Sequence, residues 1–334
     1  MGKMAASDYL LASLSFRRLF SERFYECDPV GLTEVWRSLG LGSVLGDRAW
    51  AHSVCAYETD PLQTALSRLN EEFYRSKTVP DANNRGVVRL VDGVYRLDAE
   101  LDLGPYPWFD LIGTSRDGTV ITYSGDDLKA TVYANQTQSM IANLTIVRGG
   151  SFDPPANGRG VRYALHDNGG PNTPVARNPI FANLRCLTCK SVGSNGVGAG
   201  FASGSTHAYI NVQSDYGFFC HNGDDVRQAW EERVPRRAPG GPGKIMFLDC
   251  EAGRTKGIEP PPVGLLYWNM GSGLADQLIV SGGAFSGYEH GLHVMNFGPP
   301  FPGESETEVV FHNSPTFHRV VDDSLIVEGT KVTT

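Results

Sequence analysis

Met140–Gly150 reads MIANLTIVRGG, Pro179–Ser191 reads PIFANLRCLTCKS, and Ala208–Gly217 reads AYINVQSDYG. Each is an apolar run of strand length, interrupted by one asparagine and closed by glycine or polar residues. KIMFLDCEAG from Lys244, QLIVSGGAFSG from Gln277 and EVVFHNSPTF from Glu308 continue the series. A second kind of run alternates with it, opening on glycine and passing into polar residues. Its members include GVRYALHDNGG from Gly160, GAGFASGS from Gly198, GFFCHNGDD from Gly217, GLLYWNMGSG from Gly264 and GLHVMNFG from Gly291. The repeat is loose, with a period of about 20 to 47 residues because loops of varied length interrupt it. Such a unit cannot bury its apolar face alone and needs like units above and below it, which is the logic of a solenoid. About six or seven repeats at ~4.8 Å per strand would stand roughly 30 Å tall.

One polar position recurs in the first kind of run: Asn143, Asn183, Asn211, Asp249 and Asn313. Asparagines stacked at a bend hydrogen-bond the backbone of the next repeat, so this column reads as an internal ladder and not as a site. Asn143 also opens an N-L-T sequon and Asn135 an N-Q-T, but neither is expected to carry sugar.

Toward the N-terminus the pattern changes. Ser7 or Asp8 caps a helix bearing Leu10, Leu11, Leu14 and Phe20, and Asp28-Pro29 starts another bearing Leu32, Val35, Trp36 and Leu39, with Gly40 past its end. A third begins at Asp60-Pro61, with Leu62, Ala65, Leu66, Leu69 and Phe73 on one face. Beyond about residue 84 the helical period gives way to short strands, first GVVRLVDGVYRL, AELDL, WFDLIGT and TVITYSG. The expected division is a helical segment over 1–58 and a β domain over 59–334.

The composition agrees. Of 334 residues, 39 are glycine and 20 proline, 41% are apolar and the net charge is −8. The negative balance argues against general nucleic-acid binding, which needs surplus Lys and Arg to neutralise phosphate. No apolar run is long enough to span a bilayer. The N-terminal MGKMAASDYLLASLSFRRLF lacks a cleavage site after a proper apolar core, so synthesis without general secretory export is expected. Cys27, Cys55, Cys186, Cys189, Cys220 and Cys250 are too scattered for a disulfide scaffold. Cys186 and Cys189 form one C-x-x-C with no second close pair, so buried structural cysteines are expected and no metal.

TDPLQTALSRLN (59–70), GVVRLVDGVYRLDAELDL (86–103), DLIGTSRDGTVITYSG (110–125) and MIANLTIVRGG (140–150) follow one another as capping helix, G-x-Y strand, "LIG" strand and N-L-T-I rung. In that order they resemble the opening of the pectin-lyase-like family of right-handed parallel β-helices, and the resemblance covers residues 59–334. It implies a mainly β fold with a small helical N-terminal segment. Lyases, hydrolases, epimerases and inert phage spikes share that fold, so it does not choose a function. A short head before a β-helix resembles the particle-attachment segment of a phage tail or head spike. The resemblance thus implies a homotrimer located on the virion, touching host polysaccharide and joined to phage tail or capsid proteins through residues 1–58. No cofactor, nucleic acid or membrane is expected. A stand-alone extracellular polysaccharide lyase or glycoside hydrolase is the alternative, and a decoration protein without ligand is a second one.

The best local chemistry lies in CHNGDD, with His221, Asp224 and Asp225. Polygalacturonase-type hydrolases carry a G-D-D whose carboxylates protonate the leaving oxygen and activate water. Arg254, Lys256 and His290 would supply the basic partners, but their order differs from the family's, its N-T-D is absent, and G-D-D is also a common turn. ERVPRRAPGG, with Arg233, Pro235, Arg236 and Arg237, departs by one position from the R-x-P-x-x-R of pectate lyases. His290 and His293 fall on opposite faces of a strand, a poor metal pair. Loop lengths are more informative. A long connection follows ALHD, a short one (GST) the next repeat, and a long one (GDDVRQAWEERVPRRAPGGPG) the third. Stacked on one edge they leave a notch. It would be a carbohydrate groove lined by Asp167, His207, Asp224, Asp225 and Trp230, with Arg227, Arg233, Arg236 and Arg237 nearby. Trp stacks on sugar faces and Arg binds acidic glycans bidentately. In the contrary reading this insertion packs on a neighbouring subunit. Catalysis, if present, is assigned to Asp224, Asp225, Asp167 and His221.

Overall fold

The structure is a computed structural model that describes residues 50–125, 129–135, 137–149, 163–168, 178–188, 197–201, 205–222, 243–253, 263–269, 277–296, 308–312, 315–319, 325–327 and 331–333. These residues are mainly β, with one α-helix, and every strand pairing among them is parallel.

The longer sheet runs in chain order through Trp50–Ala56, Arg85–Leu90, Phe109–Gly113, Met140–Arg148, Ile180–Thr188, Thr206–Ile210, Lys244–Leu248, Gln277–Ser281, Glu308–His312 and Lys331–Thr333. The second sheet stacks Leu101–Asp102, Val132–Asn135, Leu165–Asn168, Val197–Phe201, Phe218–Asn222, Val263–Asn269, His290–Asn296 and Leu325–Val327. Strands neighbouring in either path belong to successive repeats, so like residues come into register. Val54, Val88, Leu111, Ile141, Phe181, Tyr209, Phe247, Val280 and Phe311 form one such column. Tyr209 is stacked between Phe181 and Phe247, at ring centroids of 4.8 and 5.0 Å. This column faces Leu165, Phe218, Leu265 and Leu292 of the second sheet in one continuous core. The alternate residues of the longer sheet, including Met140, Ile180, Ile210, Met246 and Leu248, are buried as well and make a separate cluster. Burial on both faces is why these strands read as continuous apolar runs.

The asparagine column is a ladder. Asn143, Asn183, Asn211 and Asp249 have φ of 59, 50, 52 and 54°, the left-handed region that asparagine and aspartate tolerate best among side-chain-bearing residues. The Asn143 amide donates to the carbonyls of Gly113 (2.9 Å) and Thr114 (2.7 Å). Asn183 donates to Asn143 Oδ1 over 2.7 Å, and Asn211 to Asn183 Oδ1 over 2.9 Å. Gly282, at φ 62°, takes the equivalent position in the next repeat, and Asn313 lies outside the described residues. Asn143 is buried, as its place in the ladder requires.

The helix, α1, spans Leu62–Ser76 and buries the expected Leu62, Ala65, Leu66, Leu69 and Phe73. Pro61 precedes it, and Lys77 ends it in the left-handed conformation, where the Thr78 N–H reaches Phe73 O over 3.1 Å. Phe73 stacks on Phe109 at 5.5 Å, which joins the helix to the first strands of the longer sheet.

One expectation needs revision. Residues 50–56 fall in the segment assigned to the helical head, yet they form a strand paired in parallel with Arg85–Leu90. As the first strand of the path it alternates between half-buried Trp50, His52 and Val54 and exposed Ala51, Ser53 and Cys55. Residues 1–49, with the two helices expected there and Cys27, lie outside the described residues. Cys186, Cys220 and Cys250 are buried, as expected, and Cys55 is exposed.

Candidate functional site

Two side chains chosen from the sequence meet in the structure. Asp167 belongs to Leu165–Asn168 in the second sheet and His207 to Thr206–Ile210 in the longer one. Along its sheet Asp167 is flanked in register by Ala134 and Ala199. His207 pairs with Ile245, an aliphatic neighbour that offers it no hydrogen bond. The imidazole instead crosses between the sheets, and its Nδ1–H donates to Asp167 Oδ2 over 2.5 Å. The Tyr209 hydroxyl donates to the same oxygen over 2.8 Å. Asp167 and His207 are each 1% exposed and Tyr209 is fully buried. Burial, and then the charge of Asp167, hold the Tyr209 phenol well above its ordinary range, so it stays a donor.

The cluster therefore joins a carboxylate, an imidazole and a phenol in the apolar interior, just inside the edge where residues 202–205 connect the sheets. Such a set can hold or relay a proton and ties the two sheets together. Asp167 and His207 are thus placed side by side, facing inward and not toward an open groove. Tyr209 is the partner that sequence reading missed. The available signal was its position: a tyrosine in an inward column between Phe181 and Phe247 needs an acceptor for its hydroxyl.

The residue beside Asp167 points the other way. His166 lies on the outer face with Tyr133 and Tyr163, at ring centroids of 5.1 and 4.8 Å. Burial among them pushes its imidazole down to about 4, against the opposing pull of the Asp167 charge. Buried cysteines add no reactive thiol nearby, because desolvation raises Cys220 well above the usual thiol range. His290 and His293, expected on opposite faces of a strand, have ring centroids 5.1 Å apart. His290 is the first strand residue after the Tyr288–Glu289 bend. No group of three metal-ligating side chains occurs among the described residues.

The backbone of His221 lies in Phe218–Asn222, with its side chain outside the description. Asp224, Asp225, Arg227, Trp230, Arg233, Arg236 and Arg237 all fall in the 223–242 segment, outside the described residues. The strands flanking that segment are placed. Leu165–Asn168, Val197–Phe201 and Phe218–Asn222 are neighbours in one sheet, and Ile180–Thr188, Thr206–Ile210 and Lys244–Leu248 are neighbours in the other. Connections 169–179, 202–205 and 223–243 therefore start and finish side by side on one edge, the short one between two long ones. No family model, curated protein or solved structure matches the chain.

Proposed function

We propose that the chain is a right-handed parallel β-helix of the pectin-lyase-like kind that binds polysaccharide at the edge bearing the 169–179, 202–205 and 223–243 connections. On this reading it is a spike-type protein of a phage particle, a homotrimer held to tail or capsid proteins through residues 1–58. Parallel pairing between successive repeats, with the left-handed Asn143–Asn183–Asn211 column at each bend, supports the β-helix. Parallel connections within one sheet are right-handed almost without exception. The observation that carries the binding site is the short connection flanked in register by two long ones. A sugar chain would need a recess the width of a strand spacing or two at that step, roughly 5–10 Å. Trp230 supplies a stacking surface there and Arg227, Arg233, Arg236 and Arg237 the charge for acidic sugars.

The test is a panel of capsule and cell-wall polysaccharides, scored for binding and for new reducing ends or unsaturated uronates. Wild-type protein is expected to retain one glycan, and Trp230→Ala to weaken that binding at least tenfold with the oligomer intact. Turnover that disappears in an Asp224→Asn/Asp225→Asn double variant would convert the reading into a depolymerase. A broken oligomer with unchanged glycan binding in Trp230→Ala would overturn the groove and assign the insertion to a subunit interface.

A further inference from the structure

In the strand His290–Asn296, Leu292 and Val294 are fully buried in the interior cluster. His293 between them therefore faces outward, where it is half-buried. It lies in register beside Leu266, also half-buried, on the outer side of the second sheet. His290, two residues ahead of Leu292, would share the inward side by strict alternation. It is instead half-buried, with its ring centroid 5.1 Å from that of His293 and the ring planes at 79°. The bend just before it carries Tyr288 and Glu289, both exposed. Two imidazoles that strand spacing alone would separate are thus brought together at the surface.

We propose that His290 and His293 form a binding site for a divalent transition ion, Zn2+. Two imidazoles bound through nitrogen to one tetrahedral zinc at about 2.1 Å hold their ring centroids about 5.2 Å apart. The observed separation agrees. Imidazole suits zinc, whereas calcium and magnesium take oxygen ligands. Each ring gives one nitrogen to the metal and keeps the other for a hydrogen bond that orients it. Two protein donors fill two of four positions, and water or a carboxylate takes the rest. Glu289, exposed on the bend next to His290, is the carboxylate nearest in sequence. The site is therefore open and exchangeable, unlike the closed four-ligand zinc sites that hold a fold together. Rings in plain edge-to-face contact reach the same separation without metal, and zinc uptake tells the two apart. The inference stands whether or not the edge binds glycan.

Calorimetric titration of the chelator-treated full chain with Zn2+ alone tests it. One equivalent is expected to bind in the micromolar range. His290→Ala and His293→Ala should each weaken that binding at least tenfold, with the fold intact by circular dichroism. If an alanine variant fails to fold, His290→Gln and His293→Gln keep a polar side chain at the position and are read in the same way. Equal affinity in the wild type and in the His290→Ala/His293→Ala double variant would place the uptake elsewhere on the chain and overturn the site. Absence of uptake below millimolar Zn2+ would overturn it as well and leave the pair a ring contact.

Discussion

Two polar constructions of the described residues, one mostly half-buried and one fully buried, are built on opposite plans. The asparagine ladder runs along the stack, the Asn183 and Asn211 amides each donating to the equivalent residue of the preceding repeat. The Asp167–His207–Tyr209 cluster runs across it, from one sheet to the other, and has no counterpart of its kind in the registered neighbours Ala199, Cys220 and Ile245. Beyond Asn143 the ladder is half-buried and shares its hydrogen bonds among several groups, whereas the cluster is fully buried around one carboxylate. Removing a single group should therefore cost far more in the cluster.

Asp167→Ala is the strongest way to break this contrast. It strips the acceptor from a buried imidazole and a buried phenol, and a loss of about 3–5 kcal/mol in chemical denaturation is expected. Asn183→Ala comes next. It removes one donated and one accepted bond and places alanine at φ 50°, for an expected loss of about 2–3 kcal/mol. Asn183→Gly should recover the conformational part of that loss but not the hydrogen bonds.

A subtler effect appears in the dependence of stability on pH. Asp215 is buried, with both carboxylate oxygens bonded by the Thr188 N–H (3.0 and 2.9 Å), yet desolvation prevails and raises its carboxyl to about 6. The folded state then holds a proton that the unfolded chain has lost, so its contribution falls as pH rises from about 4 to about 6. His166, pushed down to about 4, contributes the opposite slope, since its stability is present above about 6.5 and lost as pH falls toward 4. The two offset each other in the native protein. Asp215→Asn should leave a stability curve that climbs with pH across this window, and His166→Gln one that declines. Parallel curves for both variants in urea titrations at pH 4 to 7 would contradict the assignment.

The smallest change sharpens the ladder. Gly282 occupies the ladder position at φ +62°, and a Cβ there meets nothing closer than Asp249 Oδ1 at 3.8 Å. Gly282→Asn should fit that backbone, donate to Asp249 and raise stability by about 0.5–1 kcal/mol, partly by restricting the unfolded chain. Gly283 is the contrasting control, since a Cβ at that position would lie 2.2 Å from Cys250 O.

How much of this was legible follows from the same contrast. Whatever repeats along the chain could be read from it, because a recurring residue announces a recurring environment. The asparagine column, the interior runs and the face of α1 all have that character. Asp167 and His207 were picked out because their loops differ in length, not because anything local told of their contact. Proximity between sheets depends on how the repeats stack, and no single repeat contains that information. Strand Trp50–Ala56 was missed for a simpler reason. Its outward positions include Ala51 and Cys55, so the polar–apolar alternation that marks an edge strand is faint.

The position of α1 has a kinetic consequence. Each strand pairs chiefly with its neighbours in the path, so the strands behave as a one-dimensional chain of cooperative units. The helix packs on Trp50–Ala56 and Arg85–Leu90 at one end, while Lys331–Thr333 ends the described path with one partner, Glu308–His312. Among the described strands, amide protection should therefore be highest beside the helix and fall along the path toward Lys331–Thr333. The helix gives the stack a polarity of stability that the repeats alone would not have.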